Sequence, residues 1–422
     1  MRGQPGLFTP VRVGPLELPN RIVMSPMTRI RADEGCVPGE RMVRYYAQRA
    51  SAGLIITEGT HPSPMGRGYT SPPGLHTEEQ AAGWRRVTDA VHDAGGRIFV
   101  QLMHAGRVSH SSLLPGNALP VAPSAVAVSG EIHTFAGKAP FETPRPLETA
   151  EIPAVVGEYR RAAELSVAAG FDGVELHAAT GYLPNQFQVT GSNRRTDAYG
   201  GSLEGRTRFT LEVIEALCEV RGADRVGIKV APGFTVNDTF DDDPAETYTH
   251  LARQLDPLGL AYLHVGYDSG YSRGTAPPFN PVDLLRSAYT GTLLAVGGFT
   301  WASGREAIEA GRADLIVYGR PFIANPDLVE RFRLDAPLAA GDVRTFYGGD
   351  DHGYTDYPTL AEQGWSRETP WPGIGADAGD RHHARASPMP ARPRTPETGP
   401  VAEATTPGRS DRETRLPGHK HS

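Results

Sequence analysis

The chain has 422 residues and a 39% hydrophobic fraction, enough for one large barrel or for two or three ordinary domains with a substantial core. A net charge of −7 and a pI near 6.1 argue against a general nucleic-acid binder and give no reason to expect an anionic membrane as partner. Only Cys36 and Cys218 are present, without metal-ligand spacing; a disulfide between them is left open, but this is not the pattern of a disulfide-dependent secreted fold. The segment MRGQPGLFTP lacks an apolar targeting core and no run approaches membrane-spanning length, which makes the cytoplasm the expected setting.

Along the chain, apolar runs recur, each followed by a Gly, Pro or polar stretch and then a helical pattern. In order they are 21–25, 53–59, 97–103, 173–177, 226–231, 262–266, 293–298 and 314–319. Between them the spacing predicts helices over 39–51, 78–94, 151–169, 203–221, 244–257, roughly 281–289, 301–310 and 326–333. Gly95-Gly96 and Gly170 stand where a left-handed residue closes a helix. Eight strands, apolar nearly throughout and alternating with helices, predict an α/β fold with a covered parallel sheet closed into a (β/α)8 TIM barrel over residues 1–365. A doubly wound open sheet is the rival fold, and the strand count disfavours it.

The longest insertion, 104–150 after the third strand, is rich in Pro, Ser and Gly and reads as a lid. A second long stretch, 266–280, is expected to form another wall of the mouth. Residues 366–422 hold nine Pro, nine Lys or Arg and seven Asp or Glu with few aliphatics, the composition of a disordered tail. Its four histidines, including His382-His383, read as solvated low-complexity sequence in preference to a metal site, and no metal is expected elsewhere.

Barrels of this kind work at the carboxyl ends of their strands. Those ends carry Pro26-Met27-Thr28-Arg29, Gly59-Thr60, Gln101 with Met103 and His104, Lys229, Gly297-Gly298 and Gly319-Arg320. The fourth, GVELHAATGY from Gly173 to Tyr182, puts Glu175 and His177 on one face of a buried strand and delivers Thr180 and Tyr182 just beyond it. Small residues after the last two strands, with the fork-shaped cation of Arg320, suit a phosphate; the rival reading makes the glycines simple tight turns. Gln101 suits a ring with an imide-like edge. Lys229 suits a ring that accumulates negative charge, or alternatively a Schiff-base nucleophile. There is no P-loop, HExxH, GxSxG or clear GxGxxG after a strand.

From Leu7 to about Leu360 the chain resembles the old yellow enzyme family of FMN-dependent ene-reductases. The resemblance runs through LFTPVRVGPLELPNRIVMSPMTRIRA, YYAQRASAGLIITEGT, GWRRVTDAVHDAGGRIFVQLMHAGR, GSNRRTDAYGGS, YGRPFIANPDLVERFR and TFYGG…GYTDYP, and leaves the tail out. It implies FMN at the barrel mouth, NAD(P)H as co-substrate, and hydride transfer through the flavin to an activated C=C bond of a small-molecule alkene. It also implies Thr28, Gln101, Pro26, Gly59, Gly298, Gly319 and Arg320 as flavin contacts. Tyr182 falls on the proton donor, His177 on a carbonyl-binding residue, and Phe346 and Tyr347 on aromatics near the substrate entrance. Three positions depart from the family pattern. Thr180 replaces the usual Asn or His, Lys229 an arginine, and Met103 a tryptophan common in the family. The departures leave room for a redox-neutral isomerase or dehydrogenase on the same flavin scaffold, with a Lys229 lyase as a more distant alternative.

Overall fold

The computed structural model describes residues 6–266 and 277–366. Most of the second long stretch, 266–280, and all of the tail but Ser366 lie outside the described residues, as do His382 and His383.

All eight apolar runs form strands: Ile22–Met24, Leu54–Ile56, Ile98–Leu102, Gly173–His177, Val226–Val230, Tyr262–Gly266, Leu293–Val296 and Leu315–Tyr318. Each pairs in parallel with the next, and the eighth closes on the first through Ile316–Ile22, Val317–Val23 and Tyr318–Met24. The register sets Glu175 opposite Gln101, His177 opposite Lys229, and Lys229 opposite His264. Because side chains alternate along a strand, residues placed side by side in this way share one surface of the barrel.

Helices cover the outside, and local signals set their ends. Glu78–Asp93 starts at a capping box in which Thr77 Oγ1 accepts from the Gln80 N–H and Gln80 Oε1 from the Thr77 N–H. Leu203–Arg221 starts where Ser202 accepts from the Gly205 N–H, and it ends at Gly222, whose φ is +80°. Gly95 and Gly170 are also left-handed, at +81° and +78°. Two short helices follow strand ends without a periodic signal, Leu183–Gln188 after the fourth strand and Arg320–Ala324 after the eighth. Each has under two turns, too little for a 3.6-residue rhythm to be read.

The barrel interior is filled from its amino-terminal end. Val23, Leu54, Ile56, Phe99, Tyr262, Leu294, Leu315 and Val317 pack with Val13 and Leu18 in one buried cluster. The last two come from an antiparallel hairpin, Val11–Val13 with Leu16–Leu18, that precedes the first barrel strand. Glycine makes room for the two rings in this layer. A Cβ on Gly173 would stand 2.2 Å from Phe99, and one on Gly227 would stand 2.3 Å from Tyr262. A larger cluster, including Trp84, Tyr159 and Phe209, joins the strands to the helices.

The 104–150 insertion has more regular structure than its composition predicts. It contains a hairpin, Glu131–Thr134 with Gly137–Pro140, and a short parallel pair, Val121–Ala122 with Arg145–Pro146. Such brief pairings depend on partners distant in sequence and leave little local pattern. Val128 and Phe141 from this insertion pack with Met103, Ala105, Val108, Tyr182 and Tyr69, so it does cover part of the mouth. Both cysteines are free.

Candidate active site

The segment after the first strand is held rigidly from below. One carboxylate oxygen of Glu58 accepts the Arg29 N–H at 3.0 Å and the Ile30 N–H at 3.2 Å. Ile30 has φ +58°, an uncommon conformation for a β-branched residue, and the paired acceptor helps to fix it. The fully buried Arg29 side chain donates to Tyr45 Oη and to the carbonyls of Phe346 and Gly353, while Arg31 donates to those of Thr345 and Asp350. This network fixes Pro26, Met27 and Thr28, all partly exposed, and ties the carboxyl-terminal segment with Phe346 and Tyr347 to the same rim. Tyr347 is 65% exposed, at the outside of that rim.

The floor of the mouth is a buried polar set. Gln101 Nε2 donates to Glu175 Oε1 at 2.7 Å, and His264 Nδ1 lies 2.9 Å from Glu175 Oε2. Glu175 and His264 are fully buried, so these bonds are what make their burial tolerable. Burial pushes the Glu175 carboxyl up, but His264, Lys229 and Gln101 outweigh it and hold the group below its ordinary value. Burial draws Lys229 down, opposed by Glu175. The net picture is a carboxylate facing an ammonium, with a neutral His264 donating from Nδ1. The other side-chain atoms of Gln101 have no hydrogen bond among the described residues, so its amide can still read a ligand edge.

Above the floor stands the cluster of the fourth strand end. His177 is buried, and burial followed by the nearby Lys229 keeps its imidazole well below its ordinary pKa and neutral. Its Nδ1 has no hydrogen-bond partner, an unmet polar group at a strand end. The chain then turns through two left-handed residues, Thr180 at φ +51° and Gly181 at +87°. Asn237 Nδ2 donates to the Thr180 carbonyl, and the Gly181 N–H donates to Asn185 Oδ1. This turn brings Tyr182 back over His177, ring centroids 4.8 Å apart and nearly edge-on. Tyr182 Oη lies 2.5 Å from Tyr69 Oη. Burial, with Tyr69 and Tyr347 nearby, pushes the Tyr182 phenol well above its usual value, so it carries its proton at neutral pH.

Met103 is buried in the apolar cluster beside Tyr182, and the closeness of Gly59 explains how. A Cβ on Gly59 would stand 2.4 Å from the Met103 sulfur. At the last two strands, Gly298 is left-handed at φ +73° and exposed, and Gly319 precedes the helix that starts with Arg320. A Cβ at 319 would come into ordinary contact, 3.5–3.6 Å, with Met27 and Ser25, which places this glycine where the end of the eighth strand meets that of the first. Buried Arg49 holds that short helix by donating to the Phe322 and Ile323 carbonyls.

The predicted residues therefore gather at one end of the barrel. Glu58, His264 and Tyr69 join them without having been singled out in the sequence. The signal for His264 was available: in YLHVG it alternates with Tyr262 on a buried strand, as His177 does with Glu175. Tyr69 lies in a loop with no pattern, and only the fold brings it to Tyr182.

The position of these groups, in the carboxyl-terminal halves of the parallel strands or just past them, defines the class: a (β/α)8-barrel enzyme. Residues 6–338 match the family model described as the NADH:flavin oxidoreductase / NADH oxidase family. The chain is 43% identical over 380 residues to 12-oxophytodienoate reductase 7 of Oryza sativa subsp. japonica, covering 85% of this chain and 96% of that protein. It is 41% identical over 364 residues to a probable flavin mononucleotide-dependent alkene reductase of Leishmania infantum, covering 84% and 97%. A solved structure of morphinone reductase in complex with tetrahydroNAD superposes with a TM-score of 0.80 at 48% identity, covering 86% of this chain and 99% of that one. The chain belongs to the NADH:flavin oxidoreductase / NADH oxidase family, the old yellow enzyme group of FMN-dependent ene-reductases.

Proposed function

We propose that the protein reduces the activated C=C bond of a small-molecule α,β-unsaturated carbonyl compound, using NAD(P)H and FMN, with Tyr182 as the proton donor. The observation that carries this reading is the stacking of two kinds of chemistry at one mouth. A Gln101–Glu175–Lys229 floor suits the polar edge of a flavin, and above it stand a neutral imidazole and a protonated phenol. FMN, when bound, supplies the hydride chemistry between the nicotinamide and the alkene.

The chain's residues bind and orient. Thr28, Pro26, Gly59 and Gln101 would hold the ring, and Lys229 would offset negative charge on it. Gly298, Gly319 and Arg320 would hold the phosphate just past the last two strands. His177 and Thr180 would donate to the substrate carbonyl oxygen, drawing electron density from the alkene. His177 can donate while neutral, and its Nδ1 has no protein partner to compete. Tyr182 would hold its proton until the α-carbon becomes basic, a general-acid role. Met103 and Tyr347 would line the substrate side, Met103 as a soft and adaptable wall. The named chemistries of the relatives fit: an alkene reductase that uses flavin mononucleotide, and a reductase bound to a nicotinamide analogue.

The test is direct. Purified protein should be yellow or take up FMN, be bleached by a reduced nicotinamide without oxygen, and be re-oxidised by cyclohexenone. Tyr182→Phe should slow alkene turnover by about 10²-fold or more, the usual scale of general-acid catalysis, and leave flavin reduction nearly unchanged. Equal slowing of both half-reactions would remove Tyr182 from the donor role. Borohydride trapping of substrate on Lys229 would replace this reading with the lyase one.

A further inference from the structure

We infer that Tyr69 is a further catalytic residue, a proton relay that recharges Tyr182. The inference rests on the reading of Tyr182 as proton donor. Its observation is the contact of the two phenol oxygens at 2.5 Å, the sole hydrogen bond of the Tyr182 hydroxyl among the described residues. A donor phenol that is only 7% exposed has little access to water. Tyr69 is the more exposed residue of the pair, while burial raises its phenol above the ordinary value, so it too carries its proton at neutral pH.

The placement of Tyr69 is built. Gly68 lets its segment press on the loop after the third strand, where a Cβ would stand 2.6 Å from Ala105 Cβ and 2.7 Å from the Val108 carbonyl oxygen. Ser109 Oγ donates to the Arg67 carbonyl at 2.6 Å, and Arg67 Nε donates to the Tyr69 carbonyl at 3.0 Å. The Arg67 guanidinium sits 5.1 Å from the Phe135 ring of the insertion hairpin. Arg67 and Thr70, on either side of Tyr69, also line a cleft of about 570 Å³. A segment this firmly held suits a fixed proton path better than a mobile gate.

The step balances as follows. The Tyr182 O–H bond breaks as a C–H bond forms at the substrate α-carbon. The Tyr69 O–H proton passes to Tyr182 Oη, and the Tyr69 oxygen takes a proton from water. Three proton transfers run along one line, the last leaving hydroxide to the bulk solvent, and the electrons for the alkene come from the reduced cofactor alone.

The experiment uses FMN-loaded enzyme reduced by NADPH and mixed with cyclohexenone in H₂O/D₂O mixtures. Tyr69→Phe should slow alkene reduction about tenfold, below the full effect of losing a general acid. It should also turn a curved dependence on deuterium fraction into a straight one, and leave nicotinamide oxidation unaltered. A limiting rate and curvature unchanged by Tyr69→Phe, with only enone affinity reduced, would make Tyr69 a substrate contact and overturn the relay. A second measurement needs no turnover. With 3-fluorotyrosine at position 182, the fluorine resonance should titrate in two coupled steps beside Tyr69 and in one step beside Phe. The same titration with either residue at 69 would overturn the pairing. Coupled titration in a holoenzyme that reduces no enone would leave the pairing standing and bring down the ene-reductase reading with its catalytic use.

Discussion

Thr180 is a β-branched residue held in a left-handed conformation within the candidate site. A left-handed conformation costs an ordinary L-residue roughly 1–2 kcal/mol, and β-branching makes it worse. Thr180 sits there at φ +51°, held by Asn237 on its carbonyl and followed by a glycine that is also left-handed. Asparagine tolerates the same backbone far better. Thr180→Asn is therefore expected to raise stability by about 1 kcal/mol, read as a higher denaturant midpoint at constant slope. If position 180 also faces the carbonyl oxygen, the same change should tighten binding of a phenol, which mimics that oxygen. An unaltered midpoint with unaltered phenol affinity would count against both the strain and the assignment. A threonine held at a strained position fits a functional role, since residues held off their preferred conformation cluster at functional sites.

At the scale of the element, the fourth strand does two jobs, and its glycine decides whether they coexist. Gly173 admits the Phe99 ring into the barrel interior, two residues along from Glu175 and four from His177. Gly173→Ala would place a methyl group 2.2 Å from that ring, so the strand or the ring must move. Overpacking of this kind costs about 1–3 kcal/mol. We expect that loss in chemical denaturation, with partial recovery when Phe99→Leu is added, because neighbours that share space couple energetically. The same loss whatever stands at position 99 would show that the clash is not its cause. A strand displaced here would also disturb the register between Glu175 and Gln101 and should weaken FMN binding.

At the scale of the whole molecule, the mouth is surrounded by buried neutral imidazoles. Burial, with neighbouring cations for His61, lowers His61 and His104 from 6.5 to about 3. The unfolded chain takes up protons on both near pH 6.5, whereas the folded chain resists until about 3. Stability is therefore fully present above pH 6.5 and falls as pH drops through that window, because the unfolded state binds more protons there. At about pH 5.5 the expected loss is about 1 kcal/mol for each of these two residues, more once His177 and His264 are included. Denaturant midpoints of the FMN-loaded enzyme from pH 8 to pH 5.5 check this. A flat profile would mean that these imidazoles are hydrated or paired in solution.

The sequence by itself determined the eight strands, the helices long enough to show a rhythm, and the glycines that end them, because those depend on local periodicity and local backbone preference. It also determined that Gln101, His177, Tyr182, Lys229, Gly298, Gly319 and Arg320 would lie at one end, because a parallel barrel places every strand terminus there. Tertiary structure decided which of those groups touch. Glu175 meets Gln101 and His264 through strand register, Glu58 fixes the segment of Thr28 across a strand, and Tyr69 reaches Tyr182 from 113 positions away. Contacts of that range have no signature along the chain, since they come from closing the barrel and from packing its loops over the mouth.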